Sequence, residues 1–526
     1  MTTTTTTDTD PDTDPDTIPA PDPAVPESRG AGRARPQRER TTGQQPPELG
    51  SAPAPGLTVP EAGHVQEEVR TAWTSGKRWT WAERLGFYSP SPAGIKSTTR
   101  QCEATYLAVA SAPTSSRGFI FGVDAFSDWP FYTDPFVAYE DKELSSPNVI
   151  RIGDLGKGKS SGMTTGSITR PLLFGRRSVV IDKKLDAETG EGEYAQKARS
   201  LGVEPIRFAL DGTGVTVNLL DPAIGVDEHP GGRADGRKPV GQAALLRAVA
   251  TEALGRDLTA REGKALAMAH HAALTTATAE GRVAVVRDVV KALQVPDPGA
   301  AEAAHLGVEE LREWGLDPAF ALERLLDDDL TGIVDGETSE NVKLGNGLTV
   351  FDVSALPEDG PALGIVMLII STWLFNTLYT QKRVHGSVVP THLVVEEAWH
   401  LVRGAFALVI QRLTKLSRAL SLSCDFAFHH VSDIPAGSPA AAMMKEAGSK
   451  YFYGQDNHDE ATATTVMFNL PAGTEDVLMG LDQGVCLVKI GSKDANLVTH
   501  LRSDYETDIT NTDKAMLATG TLTLTA

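Results

Sequence analysis

The residues best suited to chemistry in this 526-residue chain form a glycine-rich run that ends in lysine and serine. The strand-like segment Val149–Ile152 leads directly into it, and the run follows the pattern G-x-x-x-x-G-K-S. Glycines let backbone N–H groups turn inward around phosphate oxygens, and a following helix adds its positive end. The pattern therefore predicts a phosphate-binding loop made by Gly153, Asp154, Leu155, Gly156, Lys157, Gly158, Lys159, Ser160 and Ser161. A glycine-rich turn without a ligand is the alternative.

Lys159 and Ser160 have distinct expected roles within this loop. The lysine would reach the β and γ phosphates of a nucleotide, and the serine hydroxyl would bind Mg²⁺. Such a loop needs an acidic partner strand, and the apolar segment Thr391–Val395 followed by Glu396 and Glu397 supplies one. We expect Glu396 to hold Mg²⁺ together with Ser160, and Glu397 to polarise an attacking water. An ordinary strand end that carries carboxylates is the alternative.

The elements around these residues indicate an α/β fold. From Ile150 onward, short apolar strands alternate with helical stretches, which is typical of a mainly parallel sheet. Alanine and leucine then recur at helical spacing, and Thr259 with Glu262 forms a capping-box pattern, so we predict an all-helical insertion. The predicted division is a disordered tail (1–64), a small N-terminal α+β region (65–148), a first core part (149–240), the helical insertion (241–345), and a second core part with a C-terminal tail (346–526).

One apolar stretch, residues 363–378, approaches the length of a membrane-spanning helix. Pro361, Thr372, Asn376 and Thr377 interrupt it, and a strand-like run precedes it closely. A helix that packs on a sheet and is buried on all sides has the same composition. We predict such a buried helix, with a spanning helix as the alternative.

Composition narrows the classes of protein. The chain carries 49 Lys and Arg against 69 Asp and Glu, a net charge of −20, which argues against a general nucleic-acid binder. Three cysteines without paired spacing, Cys102, Cys424 and Cys486, argue against a disulfide scaffold or a cysteine zinc site and indicate a reducing compartment. The first 60 residues contain no apolar segment of the kind found in secretory signals.

The order of the motifs resembles the conjugation and type IV secretion motor ATPases of the TraC kind. These belong to the HerA/FtsK superfamily of RecA-like P-loop ATPases. Relatives have an uninterrupted Asp-Pro-Lys-Gly-Glu-Tyr, whereas this chain lacks the proline and carries an insertion before Gly192. The resemblance covers roughly residues 118–513 and is carried by SPNVIRIG (146–153), VVIDK (179–183), GEY (192–194), VNLLDP (217–222), FDVS (351–354), EEAW (396–399) and DQGVCLV (482–488).

The resemblance implies an ATP-hydrolysing, Mg²⁺-dependent motor with a RecA-like core, which works as a homo-hexamer. It also implies a cytoplasmic place at the inner face of the cell membrane, with membrane-bound transfer-apparatus proteins as partners. A DNA-translocating coupling protein of the same superfamily is one alternative, and the acidic charge disfavours it. A nucleotide-binding scaffold without turnover is the other.

Two further residues take their expected roles from the resemblance. Relatives have Thr-Gln after the sensor strand, here 424–428, and His430 stands at the glutamine position, so we expect it to sense phosphate or water. Ordinary packing is the alternative for His430. Relatives also have basic residues just before this strand, so Arg418 is expected to reach into a neighbouring subunit's site. A solvated basic face is the alternative for Arg418.

Overall fold

The computed structural model describes residues 117–510 except 187, 225–240, 399–409, 412, 433, 436 and 437. All of them fall within one compact unit, Pro92–Ala526. The predicted tail over 1–64, residues 65–116 of the predicted N-terminal region and the chain after Thr510 lie outside the described residues.

An eleven-stranded sheet forms the centre of the structure, and a two-stranded hairpin stands beside it. The hairpin consists of β5 (Leu185–Asp186) and β6 (Glu191–Gly192). The strands of the large sheet are β1 (Phe119–Asp124), β2 (Pro130–Thr133), β3 (Val149–Ile152), β4 (Arg177–Asp182), β7 (Ile206–Arg207), β8 (Leu348–Asp352), β9 (Thr391–Val395), β10 (Leu422–Phe428), β11 (Ser449–Phe452), β12 (Val485–Ile490) and β13 (Asn496–His500). Their spatial order is β2-β1-β13-β12-β11-β3-β10-β9-β4-β8-β7.

Seven adjacent strands, from β11 to β7 in that order, run parallel. The other four, β12, β13, β1 and β2, extend the sheet with antiparallel pairs. Every residue of β3, β4, β8, β9 and β10 is buried, as expected for the central strands of a parallel sheet that is covered on both faces. The predicted α/β fold with a mainly parallel sheet is confirmed.

Helices cover the sheet and form the insertion between β7 and β8. Those that surround the sheet are α1 (Pro135–Glu140), α2 (Lys159–Met163), α3 (Arg170–Leu173), α4 (Glu193–Ser200), α10 (Ala362–His385), α11 (Pro439–Glu446), α12 (His458–Met467), α13 (Thr474–Met479) and α14 (Asp504–Thr510). A π-helical segment, π1 (Thr164–Thr169), joins α2 to α3, and a second one, π2 (Leu325–Asp329), follows the insertion. The insertion comprises α5 (Gln242–Leu254), α6 (Ala260–Ala279), α7 (Val286–Gln294), α8 (Pro298–Ala303) and α9 (Val308–Arg324).

The structure bears out the predicted start of α6 and the predicted burial of α10. Thr259 accepts a hydrogen bond from the backbone N–H of Glu262, whose carboxylate accepts one in return, so the capping box is present. Helix α10 is long and apolar enough to cross a membrane, but 83% of its most apolar window is buried inside the protein. It is the only such helix among the described residues.

A buried ion pair joins the strands that carry the candidate site. Arg151 on β3 donates from Nε and Nη2 to the Asp425 carboxylate on β10 at 2.9–3.1 Å. Ser167 on π1 also donates to Asp425, and Arg151 Nη1 lies 3.4 Å from the Tyr453 hydroxyl beyond β11. Burial alone would lower the pKa of Arg151, but Asp425, Tyr453 and Tyr451 raise this pKa above the ordinary value. The Arg151–Asp425 pair, with Ser167, therefore connects β3, β10 and π1 inside the core.

Candidate functional site

The carboxyl ends of three neighbouring parallel strands meet at one edge of the sheet, where ligands bind in open α/β proteins. Strand β3 ends at the predicted phosphate loop, and β9 ends at Glu396 and Glu397. Strand β10 lies between β3 and β9 and ends at His429 and His430. Sites predicted from separate parts of the sequence therefore come together at this edge.

Two glycines in the loop occupy backbone positions that exclude a side chain. Gly158 begins α2 with φ of 102°, and a Cβ there would lie 3.2 Å from Gly484. Gly153 has φ of 150°, and a Cβ there would lie 2.7 Å from the Tyr453 side chain. The backbone N–H of Asp154 donates to Gly454 at 2.9 Å, so the segment after β11 supports the loop. The loop conformation therefore depends on glycine at both ends.

Lys159 points inward, whereas Lys157 on the same loop points outward. The Lys159 ammonium donates to the carbonyls of Gly153 and Asp154 and lies 3.2 Å from His429 Nδ1. Burial lowers the pKa of Lys159 to about 8, although Glu396, Asp154 and Glu397 oppose the shift. Lys157 instead forms an ion pair with exposed Asp456 at 2.7 Å. Leu155 is 71% exposed at the tip of the loop.

The two glutamates beyond β9 lie at different places in the site. Glu396 is 5% exposed; its Oε1 accepts a hydrogen bond from Ser160 Oγ, and its Oε2 accepts one from the Tyr194 hydroxyl at 2.8 Å. Glu397 lies 3.3 Å from His429 Nε2. Its backbone has φ of 59°, a left-handed conformation that costs a non-glycine residue on the order of 1 kcal/mol. The chain therefore turns sharply after β9 and separates the two carboxylates.

The structure brings His429, and not His430, to Lys159 and Glu397. His430 lies at the rim, with Nδ1 3.5 Å from Asp154 Oδ1. Side chains alternate along β10, and Asp425 and Ala427 both face the segment that follows the phosphate loop. His429 continues that face. The motif position indicates His430 as the sensor, whereas the alternation along β10 places His429 on the face toward the loop.

Arg418 lies at the opposite edge of the sheet from this site. It is exposed in the turn that precedes β10, where Leu422 N donates to Ser417 O at 2.9 Å. The seven residues of β10 span about 20 Å at ~3.3 Å per residue, which separates Arg418 from the carboxyl ends. Arg418 is therefore not part of the site within its own chain.

The sequence analysis assigned no role to three residues that border the site. Tyr194, on α4, contacts Glu396 as described above. Lys184 follows β4 and pairs with Glu193 at 2.7 Å, and both Glu396 and Glu397 help to raise its pKa above the ordinary value despite its burial. Arg502, beyond β13, places Nη1 3.4 Å from Ser161 Oγ. All three come from distant parts of the chain, so local patterns could not identify them as neighbours.

The oxygen atoms of Ser160 and Glu396 fit a magnesium ion. They are hard ligands in direct contact with each other beside the phosphate loop. The described residues contain no group of three or more His, Cys, Asp or Glu that could hold a metal. Magnesium at nucleotide sites commonly uses one or two protein oxygens together with phosphate and water, so the pair is sufficient.

Comparison with known proteins supports the fold. No family model matches the sequence, and no curated protein matches it. The structure is similar to VirB4 of Thermoanaerobacter pseudethanolicus, with a TM-score of 0.57 and 20% sequence identity over 75% of this chain and 99% of that chain. The chain shares its fold with VirB4. The conjugative coupling protein TrwBdeltaN70 is less similar, at a TM-score of 0.44 and 13% identity over 74% of this chain and 90% of that chain. Because that TM-score is below 0.5, this second likeness carries no argument about the fold.

The buried charge of Lys159 predicts a pH-dependent stability difference within this VirB4-like fold. Lysine titrates at about 10.5 ordinarily and at about 8 in the folded protein, so the fold bears the cost of a buried charge below about pH 8. Lys159→Met removes that cost and should be more stable than the wild type at pH 7. The stability advantage of Lys159→Met should shrink as the pH rises from about 8 to 10.5, because Lys159 loses its proton at a lower pH in the folded wild type than in the unfolded chain.

Urea unfolding of both proteins at pH 7 and pH 10 checks this prediction. Titrating groups that the two proteins share cancel when the free energy of unfolding of one is subtracted from that of the other. A stability difference that stays the same at the two pH values would contradict it.

Proposed function

We propose that this protein binds ATP with Mg²⁺ and hydrolyses it, and that it is the motor of a conjugation or type IV secretion apparatus. The observation that carries the chemistry is the convergence of Lys159, Ser160, Glu396 and Glu397 at the carboxyl edge of the sheet. The likeness in fold to VirB4 and the order of the sequence motifs support the choice of apparatus.

Phosphate binding follows from the loop and from Lys159. With a pKa of about 8 the lysine is mostly protonated at neutral pH, and it can exchange its two carbonyl partners for phosphate oxygens. The N–H groups at the start of α2 supply further donors to phosphate. Ser160 and Glu396 would hold Mg²⁺, directly or through a bound water. When bound, Mg²⁺ offsets the negative charge that develops on the phosphates during transfer.

The water-activating step belongs to Glu397. Its carboxylate can accept a hydrogen bond from the attacking water and so orient the oxygen toward the γ phosphate. His429 contacts both Glu397 and Lys159, so it can report the presence of phosphate to the base. We therefore assign to His429 the sensor role that the sequence analysis assigned to His430, and we place His430 outside the chemical step.

The last residue of the proposed site, Arg418, would come from a neighbouring subunit. Arg418 lies about 20 Å along β10 from its own site, so it can act only on another subunit's nucleotide. We propose a homo-hexameric ring in which each Arg418 contacts the neighbouring site, at the cytoplasmic face of a membrane and bound to proteins of the apparatus. The net charge of −20 favours protein partners over DNA.

The first test uses the two lysines of the loop. Lys159→Met should lower kcat for ATP at least about 100-fold, since it removes a buried cation from the developing phosphate charge. Lys157→Met is the matched control, because this lysine pairs outward with Asp456. It should retain most of the activity. Added double-stranded DNA should leave the wild-type rate unchanged. Equal rates for Lys159→Met and the wild type would refute the proposed function.

The adjacent histidines offer a second test. His429→Ala removes contacts to Lys159 and Glu397 and should lower kcat about tenfold, the effect of ~1.4 kcal/mol in the barrier. His430→Ala should stay within about twofold of the wild type. Steady-state ATP hydrolysis by the two variants checks this. A larger loss in His430→Ala than in His429→Ala would restore the assignment made from the sequence.

Mixing of variants tests the proposed action of Arg418 between subunits. Arg418→Ala alone should lose about 1,000-fold in kcat, the scale of an arginine that acts in trans. Lys159→Met alone should also be inactive. A mixture of the two should recover activity, because a Lys159→Met subunit still offers Arg418 to an intact neighbouring loop. The measurement is ATPase rate against mixing ratio, and a rate that stays at background in verified mixed rings would exclude action in trans.

A further inference from the structure

Beyond the residues that contact the nucleotide, we propose that Tyr194 is a positioning residue, which fixes the carboxylate of Glu396 in the orientation that holds Mg²⁺. This rests on the proposed function. The hydroxyl of Tyr194 donates to Glu396 Oε2 at 2.8 Å, and the tyrosine is 1% exposed. The two residues are 202 positions apart in the chain, so the contact exists only in the folded protein.

Each oxygen of the Glu396 carboxylate has its own donor. Ser160 donates to Oε1 and Tyr194 donates to Oε2. A hydroxyl can offer a lone pair to a metal while it donates its proton, so Ser160 can keep this bond when Mg²⁺ is bound. Rotation of the carboxylate would break one of the two bonds. Tyr194 therefore prevents a rotation of the Glu396 carboxylate that the bond from Ser160 alone would allow.

Tyr194 is itself held in place from several sides. Its backbone N–H donates to Asp182 Oδ2 at 2.7 Å, at the end of β4. The ammonium of Lys197 lies 4.1 Å above the ring, and Glu193 fixes that ammonium at 2.6 Å. Strand β4 is the parallel neighbour of β9, which carries Glu396. The phenol is therefore tied to the same part of the sheet as the carboxylate that it orients.

A glutamate needs such support more than an aspartate would. Its side chain has one more rotatable bond, so a single fixed orientation costs more conformational entropy. The phenol hydroxyl of Tyr194 supplies the donor that holds this orientation.

The test compares Tyr194→Phe with Tyr451→Phe. Tyr451 is a matched control, because it is also buried and its hydroxyl also makes one hydrogen bond, to Thr133 at 2.8 Å. The readout is the affinity for a fluorescent ADP analogue, measured in EDTA and across a MgCl₂ titration. Thermal unfolding of both variants verifies that they fold.

For Tyr194→Phe we expect about a tenfold rise in the Mg²⁺ concentration that half-saturates the tightening of ADP binding. The affinity in EDTA should stay at the wild-type value, and Tyr451→Phe should match the wild type in both measurements. An unchanged Mg²⁺ dependence in Tyr194→Phe would overturn the inference, as would an equal loss of affinity with and without Mg²⁺. A wild type that binds ADP with no effect of Mg²⁺ would instead refute the proposed function, and this inference with it.

Discussion

The ion pair between Arg151 and Asp425 is the constraint on which the position of the site depends. Two charges in a protein core are costly unless they are fully paired, and here Ser167 and Tyr453 satisfy the remaining groups. Arg151 stands two residues before the phosphate loop, and Asp425 stands four residues before His429. The pair therefore ties together the two strands whose ends form the proposed phosphate site, and Ser167 extends the same network to the segment behind the loop.

This geometry divides the chemistry between two edges of the sheet. The carboxyl edge carries the groups to which we assign the binding of phosphate, metal and water, and the amino edge presents Arg418 to solvent. If Arg418 completes a neighbouring site as we propose, assembly and turnover are linked. The acidic charge of the chain agrees with this division, because the proposed phosphate site would rely on local N–H groups and Lys159 and not on a basic surface.

Where the determinants are local, the sequence indicates which residues come together. Lys159 and Ser160 belong to one short motif, and Glu396 and Glu397 directly follow an apolar strand, so their meeting follows from parallel topology. The motif position indicates His430 as the sensor, whereas the structure brings His429 to Lys159, in line with the alternation of side chains along β10. The contact of Tyr194 with Glu396 and the antiparallel pairing of β13 with β1 join distant segments, and no local pattern encodes such pairings.

The central claim is that Glu397 activates water for a nucleotide held by the rest of the site. A single-turnover measurement on Glu397→Gln, with bound ATP and released phosphate followed in the same sample, tests it most directly. The account predicts that the variant binds ATP with Mg²⁺ as tightly as the wild type and releases phosphate at least about 100-fold more slowly. Phosphate release at the wild-type rate by Glu397→Gln would contradict it.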